Sequence, residues 1–239
     1  MPNSLLLRGD GRAVACGFSP PGQSKLPVLE DGAMYVQVAA GQGHTLLLRS
    51  DGRAVARGQN YSGQCTLPAL EDSVTYVQIA AGGAHSLLLR SDGRAVACGD
   101  NDCDQCTLPA LDDGKTYVQV AGGERHSLLL RSDGRAVSCG DNNCGQCTLP
   151  ALDDGVTYVQ VACGLRHSLL LRSDGRVVSC GDNNFGQCTL PVLDDGVTYV
   201  QVSGGIWHLV AGGSALTQRW SCGHLRRQPV WPVHVASFG

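Results

Sequence analysis

Apolar positions along the chain fall into three short patterns that return in a constant order. Tyr117-Val118-Gln119-Val120-Ala121 alternates and is rich in β-branched and aromatic residues, as a half-buried strand requires. Leu128-Leu129-Leu130 is a continuous apolar run, which suits a strand covered on both faces. Arg135-Ala136-Val137-Ser138-Cys139 supplies a third short strand. Ser132-Asp133-Gly134-Arg135 joins the second to the third, and its Asp-Gly pair is the one that a type I′ hairpin turn takes. Segments rich in Gly and Pro separate the units. No window of helical period is long enough to compete, so the expected elements are strands throughout.

The patterns repeat at a fixed interval. His44, His85, His126, His167 and His208 are each 41 residues apart, and the same motif surrounds each of the first four. A period of this length marks solenoids, propellers or arrays. Each unit is expected to form an antiparallel sheet of three strands, or four if Cys147-Thr148-Leu149-Pro150 pairs at an edge. A sheet this small cannot bury both of its apolar faces alone, whereas blades packed side by side around an axis can. The first strand of the unit is absent before Ser4-Leu5-Leu6-Leu7, the equivalent of Ser127-Leu128-Leu129-Leu130. Val233-His234-Val235-Ala236 matches Val118-Gln119-Val120-Ala121, so a strand near 233–237 is expected to complete blade one. First strands at Val36, Val77, Val118, Val159, Val200 and Val233 number six, with a last interval shortened to 33 residues. The expected fold is all-β: one closed β-propeller over residues 1–239, with six blades and its terminal strands sharing one of them.

Charge narrows the partners. A net charge of −3 lacks the Lys/Arg excess that phosphate recognition needs, so nucleic acid is not expected. The apolar run before Arg8 is three residues long, too short for a signal-peptide core or a membrane span, and an intracellular, cytoplasmic location is expected. The 12 cysteines invite a disulfide framework, but Cys65, Cys106, Cys147 and Cys188 recur at the repeat interval, as do Cys98, Cys139 and Cys180. Residues placed in every repeat read more simply as small buried apolar groups that stay reduced.

The candidate chemistry is thin. The register histidines could ring an axis and bind metal, but a residue present in every full repeat answers a fold requirement, such as a hydrogen bond to the backbone of its own or a neighbouring blade. Cys103/Cys106 and Cys144/Cys147 are two C-x-x-C pairs, which could hold zinc or act in redox. The second cysteine of each belongs to the repeat consensus. Asp100-Asn101-Asp102-Cys103-Asp104 begins like a calcium loop, yet Leu111 stands where the bidentate Glu belongs, so it reads as a polar turn. No nucleophile elbow, Walker loop or H-E-x-x-H motif occurs. No catalytic residue and no cofactor are expected.

The positions that escape the consensus are the two before each register histidine. They read Gln42-Gly43, Gly83-Ala84, Glu124-Arg125, Leu165-Arg166 and Ile206-Trp207. A second variable stretch includes Tyr61, Asp102, Phe185 and Leu225-Arg226-Arg227. Arginine and aromatic residues are the usual interface anchors, so Glu124, Arg125, Leu165, Arg166, Phe185, Ile206, Trp207, Arg226 and Arg227 form the expected partner-binding set.

At Gly-x-x-His-Ser-Leu, Asp-Gly-Arg, Cys-Gly-Asp-Asn and Gly-Gln the chain resembles the regulator-of-chromosome-condensation repeat family, most nearly its short bacterial-type members. The resemblance implies a propeller, usually of seven blades, and functions that range from nucleotide exchange on a small GTPase to enzyme inhibition, light sensing and substrate binding in ubiquitin ligases. Here the third-strand Trp of the family is replaced by Cys98, Cys139 and Cys180. Fold alone does not choose among these functions. The expected function is that of a non-catalytic protein-binding scaffold or a subunit of a larger assembly. The alternatives are a GTPase regulator, by resemblance, and a metal- or redox-linked module using the paired cysteines.

Overall fold

The computed structural model describes residues 3–17, 23, 25–27, 29, 32–112, 114–194 and 196–205, all within one compact unit, Met1–Leu209. Every regular element in them is a strand. β1 (Asn3–Leu7) and β2 (Ala13–Gly17) form a two-stranded sheet. Four three-stranded antiparallel sheets follow: β3 (Tyr35–Ala40), β4 (His44–Arg49) and β5 (Ala54–Gly58); β6 (Tyr76–Ala81), β7 (His85–Arg90) and β8 (Ala95–Gly99); β9 (Tyr117–Gly122), β10 (His126–Arg131) and β11 (Ala136–Gly140); and β12 (Tyr158–Cys163), β13 (His167–Arg172) and β14 (Val177–Gly181). In each, the apolar-run strand lies in the middle.

Each of these sheets has the three strands expected, and the edge strand left open at 147–150 is not formed. Residues 147–150 carry no strand; instead the Tyr158 hydroxyl donates to the Pro150 carbonyl at 2.7 Å, as Tyr117 does to Pro109 at 2.6 Å. A side-chain bond thus holds the segment where an edge strand would have ladder bonds. The hairpin turn also differs from expectation. A type I′ turn needs positive φ at both central residues. Among the described residues only Ser73 and Asp104 have positive φ without being glycine, so Asp133 is not in that region, while Gly134 is, at +75°. Gly134 N–H donates to the Arg131 carbonyl at 3.0 Å, and Asp133 Oδ1 accepts from Arg135 N–H at 3.2 Å. This is the three-residue hairpin, a type I turn followed by a left-handed glycine.

The core lies between blades rather than within them. Leu128 and Leu130 of β10 pack with Tyr158, Val161 and Cys163 of β12 and with Leu170 of β13. Leu87 and Leu89 of β7 pack with Tyr117, Val120 and Leu129 of the next blade. Leu46, Leu47, Leu87, Leu88, Leu128 and Leu129 are fully buried, which explains an apolar run with no polar face. Leu6 of β1 stands at the position of Leu129 but is 56% exposed.

One repeat breaks a local rule. Ser73 has φ +69°, at a turn where the equivalent Gly32, Gly114, Gly155 and Gly196 have φ of +73° to +78°. An L-residue there costs roughly 1–2 kcal/mol, partly offset by the extra freedom that glycine brings to the unfolded chain. Ser73→Gly is expected to stabilise the fold by about 1 kcal/mol, read as an upward shift of the urea midpoint at unchanged slope.

Candidate interaction face

The site is built where each first strand turns into its second. β9 pairs with β10 as far as Gly122 and Ser127, and the connection 123–125 then bonds to the blades on either side. Backbone bonds run from one connection to its neighbour: Gln42 N–H to Gly83 O, 3.2 Å; Gly83 N–H to Glu124 O, 3.2 Å; Glu124 N–H to Leu165 O, 3.1 Å; and Leu165 N–H to Gly205 O, 3.2 Å. The first variable position of each pair is thereby fixed in place, while the second, Arg125 or Arg166, is exposed. Glu124 Oε2 lies 3.5 Å from Arg166 Nε, and its Oε1 lies 3.5 Å from Gln42 Nε2, which belongs to a blade two units away. The carboxylate raises the pKa of Arg166.

The second variable stretch shares this end of the blades. Asp141 N–H donates to Arg125 O at 2.8 Å and Asp182 N–H to Arg166 O at 2.8 Å, so the turns that follow the third strands sit beside the two arginines. Phe185 in one of these turns is 68% exposed, and Tyr61 in another is 90% exposed. Glu124, Arg125, Leu165, Arg166 and Phe185 therefore occupy one end of consecutive blades. Ile206, Trp207, His208, Arg226 and Arg227 lie outside the described residues.

Beneath this end His44, His85, His126 and His167 are buried, and a serine side chain of the following blade partners the first three. Nε2 of His44, His85 and His126 lies 2.9, 3.0 and 3.1 Å from Oγ of Ser86, Ser127 and Ser168 in the following blade. Each serine donates its own proton to a carbonyl, that of Gln64, Gln105 or Gln146, at 2.7, 2.7 and 2.8 Å. The serine oxygen must then accept, which places the histidine proton on Nε2. Burial lowers the pKa of His44 and His126 to about 4 and that of His85 to about 3. Among the described residues, no group of three or more His, Cys, Asp and Glu side chains is placed to hold a metal ion.

Two further polar series went unread in the sequence although they recur at the same interval. Gln119 Nε2 donates to Val161 O at 3.0 Å, and its Oε1 accepts from Val161 N–H at 2.9 Å. Gln37 clasps Ile79 in the same way, and Gln160 clasps Val202. The buried Gln64, Gln105 and Gln146 supply the carbonyls that the serines use.

The cysteines were expected to be small buried apolar groups, but most are half-buried and act as weak donors. Cys98, Cys139 and Cys180 reach across to the Gln64, Gln105 and Gln146 carbonyls at 3.8, 3.6 and 3.4 Å. Cys106 and Cys147 face Asp100 O and Asp141 O within their own turns, at 3.2 and 3.4 Å. Cys103 and Cys144 lie in those same turns, each with its N–H held by a glutamine Oε1 at 2.9 Å. In the calcium-like stretch, Asp100 Oδ1 accepts from Asp102 N–H at 3.1 Å, and Asp104 takes the left-handed position, φ +63°, that Gly145 occupies one repeat later.

Comparison with known proteins places these repeats. No curated protein matches the chain. Among solved structures, Prp20p from Saccharomyces cerevisiae, described with its binding to Gsp1p and histones, is 22% identical with a TM-score of 0.67, covering 79% of this chain and 57% of its own. Yeast RCC1 (Prp20) bound to Kap60 is 21% identical with a TM-score of 0.67, covering 85% and 64%. Human WBSCR16 is 20% identical with a TM-score of 0.67, covering 85% and 68%. The chain thus spans less than two thirds of the first two, and the likeness at this identity is one of fold. The family model of the regulator of chromosome condensation (RCC1) repeat matches residues 35–64, 76–105, 117–146 and 158–187, each running from the first strand to the glutamine that follows the third. With four such units in register making up half of its length, the chain belongs to the RCC1 repeat family of β-propeller proteins.

Proposed function

We propose that the chain is a non-catalytic protein-binding scaffold whose partner docks on the blade end carrying Arg125, Arg166 and Phe185. The observation that carries this is the contrast between that end and the rest of the blades. The repeated His, Ser and Gln side chains are consumed in ties between blades, whereas the side chains that vary from blade to blade include exposed arginines and aromatics. Such residues anchor interfaces at low entropic cost. The solved relative Prp20 is described with protein partners in two structures, Gsp1p and histones in one and Kap60 in the other, which supports a protein as the ligand class.

The scaffold we propose is a six-bladed ring. The first strand of a sixth blade is foreshadowed at Val202, which Gln160 clasps, and Val233-His234-Val235-Ala236 carries the pattern of the strand that β1 lacks in the described residues.

A photoreactive benzoylphenylalanine replacing Phe185 tests the face, with Val159, near the opposite end of its blade, as the comparison. Irradiation in the native extract is expected to give a discrete adduct from position 185 and none from 159. With that partner purified, Arg125→Glu combined with Arg166→Glu is expected to weaken binding by about tenfold or more. Adducts from 159 alone, or unchanged affinity in the double variant, would refute this choice of face. A small GTPase as the captured partner would bring the exchange-factor alternative forward, to be decided by a nucleotide-exchange assay.

A further inference from the structure

We propose that Cys65 with Cys98, Cys106 with Cys139, and Cys147 with Cys180 are oxidisable staples between consecutive blades, closed by peroxide. In each pair the second thiol crosses the interface to a carbonyl, and the first belongs to the residue directly after that carbonyl. A carbonyl oxygen lies about 2.8 Å from the next Cα, so each crossing sulfur sits within roughly 6–7 Å of its partner's Cα. Cα atoms joined by a disulfide lie about 4.4–6.8 Å apart, which this placement can satisfy after a rotation about χ1 of the first cysteine.

The repeats also keep these thiols together or drop them together. The interface preceding the three pairs has Ser24 and Arg57 at the equivalent positions, so neither member is a cysteine. The C-x-x-C pairs show no comparable coupling. Cys65 and Cys188 stand three residues after Ser62 and Phe185, so the first cysteine of the motif is absent where the second is kept.

The chemistry balances with hydrogen peroxide as the oxidant. One thiolate attacks a peroxide oxygen, the O–O bond breaks, and the departing hydroxide is protonated to water, leaving a sulfenic acid. The partner thiolate attacks the sulfenic sulfur, the S–O bond breaks, and the S–S bond forms as a second water leaves. Two thiols are oxidised and one peroxide is reduced to two waters. Burial holds Cys98, Cys106 and Cys180 at about 11 and Cys139 at about 12, so thiolate is scarce near neutrality. Closure is therefore expected to be slow at pH 7 and to accelerate by up to about tenfold per pH unit toward pH 9.

Trypsin separates the two members of every pair, because Cys65 falls in peptide 58–90, Cys98 and Cys106 in 95–115, Cys139 and Cys147 in 136–166, and Cys180 in 177–219. The whole chain is treated with hydrogen peroxide, its monomer is isolated without reductant, and its peptides are mapped. The expected result is 58–90 linked to 95–115, 95–115 linked to 136–166, and 136–166 linked to 177–219. Cys98→Ser is expected to remove the first link and leave the others. Loops closed inside 95–115 or 136–166 would overturn the assignment, since they report pairing within a blade or within C-x-x-C. Links found only in dimers, or thiols that all stay free in the folded chain, would overturn it as well.

Discussion

Gly123→Ala is expected to destabilise the protein by about 3 kcal/mol or more, out of proportion to one added methyl group. A Cβ at this position would overlap Cε1 and Nδ1 of His126 and come within 2.9 Å of the Gly164 carbonyl. The imidazole has nowhere to withdraw, because His126 is fully buried with Nε2 held 3.1 Å from Ser168 Oγ. Displacing it breaks that bond and disturbs the one from Ser168 to Gln146 O at 2.8 Å. Urea denaturation measures the loss. The Gly123→Ala, His126→Ala double variant provides the internal check: once the ring is gone the overlap is gone, so the two costs should fall well short of additive. Full additivity would mean that the glycine serves something other than the imidazole.

Acid is expected to unfold the chain near pH 5, and the histidines set the sign. His44, His85 and His126 are buried neutral, with folded pKa values of about 4, 3 and 4 against an ordinary value of 6.5. A base with a depressed folded pKa contributes its full stability above the unfolded value. As pH falls through 6.5 the unfolded chain takes up protons that the folded chain refuses, and the loss continues until the folded pKa is reached. Three such groups give a slope of about 4 kcal/mol per pH unit, or roughly 6 kcal/mol by pH 5, comparable to the total stability of many domains. Neighbouring protonated histidines oppose each other, while Asp100 and Asp141 favour protonation of His85 and His126. Urea midpoints measured from pH 8 to pH 5 should be level above about 7 and fall steeply below 6.5. His85→Gln should reduce the slope by about a third. A flat profile to pH 5 would contradict the buried neutral state.

Much of the blade was legible in the chain because its determinants are local. The alternation around Val120 and the run Leu128–Leu130 mark strands by pattern alone, and both fall within strands of the structure. The Asp-Gly pair marked a hairpin but not its type, since the side chain of Asp133 caps Arg135 N–H and keeps its own φ ordinary. Ties between blades were harder to see. Gln119 recurs as regularly as the histidines, yet its partner Val161 lies 42 residues on, and a polar residue in an alternating strand reads as solvent-facing. The partner of Cys139 was likewise hidden, since its sequence neighbours say nothing of the Gln105 carbonyl that it meets. As for the interaction face, the variable pairs were visible as exceptions to the repeat. That they share one blade end with Phe185 follows from antiparallel pairing of β13 with β14, which puts His167 opposite Gly181.

The bonds among the inner connections all run one way, from Gln42 to Gly83, from Gly83 to Glu124, from Glu124 to Leu165 and from Leu165 to Gly205. Each joins a unit only to the next, as do the glutamine clasps. Apart from the side-chain contact of Gln42 with Glu124, which spans two units, tension drawn along such a chain meets these junctions in series. It falls on one junction at a time, and each junction that yields releases 41 residues, about 140 Å of slack, before the next is loaded.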